Sequence, residues 1–189
     1  MFGLYEAELN DWLDKVLSRV DLVIDVGAND GYFTFGCAAA MQRNGRPVRV
    51  LSIEPAAEHV RQLHAARDRA NYTENQITIV PKFAGRSVDG HSVTLDAFAD
   101  LWHQYKSPLI KIDVEGAELD VLDGAESWLS PGTATLIEVH RFEYLAAIAA
   151  RLAGSIGVLD RVDQKPHAIL GREMRDAANW WLVSRIPTA

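Results

Sequence analysis

Leu22-Val23-Ile24-Asp25-Val26-Gly27-Ala28-Asn29-Asp30-Gly31-Tyr32 is the stretch that decides the fold. Residues 22–26 form a short apolar run of the length of a buried strand. Gly27 and Gly31 then break the run, and the Ala- and Phe-rich sequence up to Met41 reads as a buried helix. Glycines in such a loop permit unusual dihedrals and let a ligand approach the main chain. Asn29 tolerates left-handed geometry and offers an amide. This strand–loop–helix unit suits a nucleoside-like ligand, and an ordinary strand-to-helix turn is the alternative. The spacing Gly27-x-x-x-Gly31 differs from the Gly-x-Gly-x-x-Gly of a nicotinamide site, and no Gly-Lys-Ser/Thr phosphate loop is present.

Working outward, strands and helices alternate. Residues 48–53 read as a second strand, 56–70 as a helix and 77–80 as a third strand. A loop is expected over 82–91, then a helix over 95–105 capped by Thr94. Residues 109–114 form a fourth strand and 135–139 a fifth. Val121, Leu122, Ala125, Trp128 and Leu129 share one helical face between them. A helix over 142–152 precedes two closing strands, 156–162 and 180–186, expected as an antiparallel pair. Of Trp180 and Trp181, alternation sends one inward and one outward. Leu4, Leu9, Trp12, Leu13, Val16, Leu17 and Val20 recur at helical spacing, so residues 1–20 read as an N-terminal helical extension. The whole reads as one α/β domain over 1–189, its mostly parallel sheet covered by helices on both faces.

Bulk composition narrows the function. Of the 189 residues 48% are hydrophobic and 24% charged, a globular composition. The net charge is −7 with no Lys/Arg-rich run, which argues against nucleic-acid binding. The one cysteine, Cys37, allows no intramolecular disulfide and sits in an apolar helical stretch as a core residue. The acidic N-terminus lacks a signal-peptide pattern, and no stretch approaches a membrane span, so a cytoplasmic location is expected.

In open α/β sheets the residues that close the strands face the ligand. Glu54-Pro55 closes the second strand. Its carboxylate can accept hydrogen bonds from two ribose hydroxyls, and Pro55 fixes the backbone beside it. Leu109-Ile110-Lys111-Ile112-Asp113-Val114-Glu115-Gly116-Ala117-Glu118 closes the fourth. Alternation puts Lys111, Asp113 and Glu115 on one side. Charges in a row on a buried strand are costly without a task or a partner.

These segments carry a resemblance. DVGANDGYFT (25–34), IEP (53–55), TLDAF (94–98), IKIDVEGAELDVLDGA (110–125) and LIEVH (136–140) resemble the FkbM-type methyltransferases. The resemblance implies a Rossmann-like class I methyltransferase fold, a seven-stranded sheet with a C-terminal antiparallel hairpin. It implies S-adenosylmethionine as cofactor and O-methylation of a small hydroxylated metabolite, sugar or glycan. By position Asp25, Gly27, Ala28, Asn29, Gly31 and Tyr32 would line the methionine and ribose part, and Glu54 with Pro55 the ribose hydroxyls. Ala84 would flank the adenine and Asp113 the methyl end. The segment between the third strand and TLDAF is shorter than the family's usual one, which bears on the acceptor.

A hydroxyl acceptor loses a proton, so a general base is expected near it. Asp113, Glu115 and His140 are the candidates at strand ends, and the imidazole suits neutral pH. Asp113, Glu115 and Glu138 could gather a divalent cation, though no metal is predicted. The remaining histidines, His59 among them, receive no role. Competing readings are a non-catalytic S-adenosylmethionine-binding module, an N- or protein methyltransferase, and a nicotinamide oxidoreductase, which the loop spacing disfavours. The N-terminal apolar face could cover the chain's own sheet or a second copy in a homo-oligomer.

Overall fold

The structure, a computed structural model, describes residues 7–163 and 180–186; Leu4 of the expected N-terminal helix lies outside them. Among the described residues nine strands form: β1 (Leu22–Val26), β2 (Val50–Ile53), β3 (Ile77–Val80), β4 (Phe83–Ala84), β5 (Ser92–Val93), β6 (Pro108–Ile112), β7 (Ala134–Val139), β8 (Leu159–Val162) and β9 (Trp180–Ser184). The helices are α1 (Asn10–Leu17), α2 (Tyr32–Arg43), α3 (Ala57–Arg69), α4 (Ala99–Trp102), α5 (Glu118–Asp123) and α6 (Phe142–Leu152).

Seven strands make one sheet in the order β3-β2-β1-β6-β7-β9-β8. All pairs are parallel up to β7, and β9 runs antiparallel to both β7 and β8. The chain leaves β1 toward β2 and β3 and later returns to the other flank of β1 with β6. Strand order therefore reverses between β1 and β6, and a crevice opens beyond their carboxyl ends.

Strand alternation divides the core into two layers. Val23, Leu109 and Leu136 pack with Leu13, Val16 and Leu17 of α1 and Cys37 and Met41 of α2. Ile24, Leu51, Ile110 and Ile137 pack on the opposite face with Val121, Leu122, Ile148 and Leu152. Each fully buried Val, Leu, Ile or Met side chain among them stabilises the fold by roughly 1.5–3 kcal/mol. The N-terminal helix covers this chain's own sheet, anchored where Trp12 Nε1 donates to the Ser184 carbonyl at 3.0 Å. Trp181 is fully buried, whereas Trp180 is half-buried and meets Phe142 edge-on. Among the described residues no helix is long and apolar enough to cross a membrane.

The segment after β3 is more ordered than a loop. Phe83–Ala84 pairs in parallel with Ser92–Val93. Asp89 Oδ1 closes the turn by accepting the His91 and Ser92 N–H groups, each at 2.7 Å. Two-residue strands are too short to leave a period in the sequence. Thr94 does cap the next helix, its side chain accepting from Ala97 N, but the first turn is 3₁₀ (Leu95–Phe98) before α4 begins.

Gly27 is required by a close approach. It sits at φ 77°, and a Cβ there would lie 1.9 Å from the Asp113 carbonyl oxygen. Gly45 has a similar φ of 67° with nothing within 4 Å. Gly45→Ala is expected to cost about 1–2 kcal/mol from the left-handed dihedral alone. Gly27→Ala should add about 1–3 kcal/mol for pushing the end of β6 away. Urea unfolding of both variants checks this, and equal losses would contradict it.

Candidate active site

A cavity of ≈ 840 Å³ occupies the crevice beyond β1, β2 and β6, within the size range of small-molecule sites. Its walls include Gly27, Asn29, Glu54, Pro55, Ala84, Asp113, Glu115 and His140, eight residues singled out by sequence. Asp25, Ala28, Gly31 and Tyr32 do not line it.

Asp25 is fully buried beneath the loop. It is the register partner of Lys111 across β1 and β6. Lys111 Nζ stands 3.5 Å from Asp25 Oδ1 and 3.0 Å from Asp113 Oδ2, and donates to the Gly27 carbonyl at 3.3 Å. The Phe33 ring lies 5.5 Å beneath the ammonium. Thr34 Oγ1 donates to Asp25 Oδ2 at 2.6 Å. Burial raises the Asp25 pKa above its usual value, even against the opposing Lys111 charge and Thr34 hydrogen bond. Burial also acts to raise Asp113, but Lys111, a hydrogen bond from buried Glu138 and nearby His140 outweigh it and hold Asp113 below the ordinary range.

The expected alternation through Glu115 ends early. β6 stops at Ile112, and Glu115 adopts φ 47° before Gly116 at φ 99°. The turn carries Glu115 to the exposed mouth of the cavity, away from the Lys111–Asp113 pair.

Glu54 is nearly buried at the cavity floor. Its Oε2 accepts from Asn29 N at 2.9 Å and its Oε1 from Ala56 N at 2.8 Å. Each oxygen has two lone pairs, so both retain accepting capacity toward the cavity. His59 also lines the cavity, its Nδ1 3.6 Å from Glu54 Oε1. His59 carries no site signal in the sequence, but it lies in the first turn of α3, which starts just beyond Pro55 and faces the same crevice. Lys82, Phe83 and Arg141 were missed as wall residues too. Phe83 is 60% exposed beside Ala84, an apolar ring left open on the cavity edge.

At the opposite end His140 follows β7. Its Nδ1 is 2.7 Å from Glu118 Oε1, and its Nε2 is 3.6 Å from Asp113 Oδ1. Burial alone would lower the His140 pKa, but the Glu118 hydrogen bond and the charges of Glu138, Asp113 and Glu118 together raise it. Glu118 is held low in turn: its burial is outweighed by His140 and by backbone N–H donors that include Gly116. Asp113, Glu138 and His140 bring ligand-type atoms within 4.8 Å of one another. Lys111 already neutralises Asp113 there, and Glu115 stands outside the group, so we read no metal site in it.

Residues 87–164 match the family model of the methyltransferase FkbM domain. The resemblance read from the sequence therefore holds for the segment containing β6, the DVEGAE turn and His140. Among solved structures, methyltransferase FkbM from Methylobacillus flagellatus KT superposes with a TM-score of 0.67 at 21% identity, over 88% of this chain and 44% of that one. The chain thus spans less than half the length of that relative. Precorrin-6y C5,15-methyltransferase from Geobacter metallireducens GS-15 gives 0.59 at 11% identity, covering 94% and 87%. A putative rRNA-methylase from Clostridium thermocellum gives 0.58 at 13%, covering 96% and 97%. No curated protein sequence matches. At these identities the structural likeness shows the fold, which is the Rossmann-like methyltransferase fold with its C-terminal antiparallel hairpin.

Lys111→Met leaves two carboxylates beside an apolar side chain. A loss of about 3–5 kcal/mol is expected at neutral pH. The folded Asp113 pKa lies below 3.8 because of Lys111, so that stabilisation is present above 3.8 and lost as pH falls through the folded value. The deficit of the variant should therefore narrow in acid. Urea unfolding at pH 7 and below pH 4 measures it, and a deficit independent of pH would refute this account of the ammonium.

Proposed function

We propose that the chain is an S-adenosylmethionine-dependent methyltransferase that methylates a hydroxyl of a small metabolite, sugar or glycan, acting in the cytoplasm as one domain. The observation that carries the reading is the pairing, in one cavity, of a ribose-type carboxylate floor at Glu54 with an imidazole at the far wall. The donor set fits this cofactor. Glu54 has accepting capacity for two hydroxyls, and Phe83, Ala84, Ile53 and Pro55 offer apolar surface for a purine. The loop at Gly27 has no phosphate-cradling signature, and the cofactor has no phosphate.

On this reading Glu54 holds the ribose, Gly27 and Asn29 lie along the amino-acid portion, and Asp113 stands near the reacting end. Asp25, Ala28, Gly31 and Tyr32 act one layer behind, by fixing the loop. S-Adenosylmethionine, when bound, supplies a methyl group activated on a sulfonium. The protein's tasks are to align the acceptor oxygen and to accept its proton. His140 accepts it at Nε2. Glu115, exposed at the mouth, is placed to touch the acceptor rather than the cofactor.

Calorimetric titration with S-adenosylhomocysteine, with NAD as control, is expected to show binding of the first only. Glu54→Gln should weaken it about tenfold or more, the loss of a charge-assisted hydrogen bond. His140→Ala should leave that binding intact and lower methyl transfer to a hydroxylated acceptor by about 10²–10⁴-fold. Binding of NAD instead, or undiminished turnover without the imidazole, would overturn the reading.

A further inference from the structure

Glu118 was not among the residues that the sequence marked for chemistry, although it ends the DVEGAE motif. It opens α5, whose length and apolar face explain the rest of the helix without it. A glutamate at such a position is ordinarily solvated. Here its side chain is fully buried, and one of its oxygens, Oε2, has no hydrogen-bond partner among the described residues. Burying a carboxylate is costly unless it is paired. Its Oε1 receives two donors: Gly116 N at 3.0 Å and His140 Nδ1 at 2.7 Å.

We propose that Glu118 is a positioning residue that orients His140 for proton transfer, holding its proton on Nδ1 so that the Nε2 lone pair faces the cavity. The inference deepens the methyl-transfer reading and rests on it for the identity of the proton donor. The geometry itself is independent of that reading. An ionised carboxylate only accepts hydrogen bonds, so Oε1 selects the tautomer with hydrogen on Nδ1. The Gly116 N–H fixes Oε1 from the turn that ends β6. The carboxylate therefore ties the imidazole to the same turn that carries Asp113 and Glu115. A carboxylate behind an imidazole both fixes its orientation and stabilises the imidazolium formed when the proton arrives.

The groups facing His140 come from three elements. Glu118 belongs to α5, Asp113 follows β6 with Lys111 behind it, and Glu138 lies on β7; Arg141 follows along the chain. Asp113 Oδ1 is 3.6 Å from Nε2, beyond hydrogen-bond reach. No short contact with Asp113 therefore occupies the nitrogen that would take the proton. The proton passes from the acceptor hydroxyl to Nε2, giving an imidazolium whose charge is faced by Glu118, Asp113 and Glu138. Only the neutral imidazole accepts, so proton transfer strengthens as pH rises through the His140 pKa.

Nitrogen-15 NMR of the imidazoles in the ligand-free protein tests the proposal without any acceptor. In the wild type, His140 should titrate above 6.5, and its neutral form should carry hydrogen on Nδ1. Neutral His140 with hydrogen on Nε2 would overturn the proposal from the wild type alone. In Glu118→Leu, which removes both the charge and the acceptor, the pKa should fall by about one unit or more, and the Nδ1–H preference should be lost. S-Adenosylhomocysteine affinity should stay within about twofold, since Glu118 is not on the cavity wall. An unchanged pKa and tautomer in the folded variant would refute the assignment. Failure of the wild type to bind S-adenosylhomocysteine would instead count against the cofactor reading, leaving the His140 titration to judge Glu118 separately.

Discussion

One buried ammonium holds the two halves of the site together. Lys111 lies between Asp25 on β1 and Asp113 after β6, and it also donates to the carbonyl of Gly27. These are the two strands between which the sheet order reverses. The Gly27 loop and the Asp113 turn must therefore cross closely, with no room for a Cβ. Without a cation at this crossing, two carboxylates would face each other in a low-dielectric interior. The charge pattern of the fourth strand is thus first a solution to a folding problem, and the crevice follows from it.

From that crossing the chemical labour divides along the strand ends. Glu54 closes β2 and faces the cavity with both oxygens already tied to backbone N–H groups, which fixes its orientation. His140 closes β7 and is tied to Glu118. Both side chains are set by hydrogen bonds to neighbouring elements. The site is consequently built from four different strand ends and stands on a rigid sheet. Such a frame suits a reaction in which alignment is the main demand.

The sequence disclosed the frame well. Continuous apolar runs marked the parallel strands, and Gly27, Glu54 and Asp113 fell at the strand ends where they were expected. What it concealed was depth. Asp25 and Asp113 look alike in the sequence, yet one pairs within the sheet and the other lines the cavity. Glu115 departed from the alternation because the strand ends at Ile112 and the next turn is left-handed. Glu118 and His59 escaped notice because each depends on a helix start pointing back toward a strand end, a direction that periodicity does not encode. The short β4–β5 ladder was hidden because two-residue strands have no period.

The crevice at the β1–β6 reversal is the site we propose for the cofactor. A crystal structure of the protein with S-adenosylhomocysteine decides it. The ribose hydroxyls should meet Glu54, the purine should lie against Phe83 and Ala84, and the sulfur should point toward Asp113 and His140. A ligand seated elsewhere, such as the smaller cavity beside Arg19, Ser107 and Ser184 at the other end of the strands, would contradict the account.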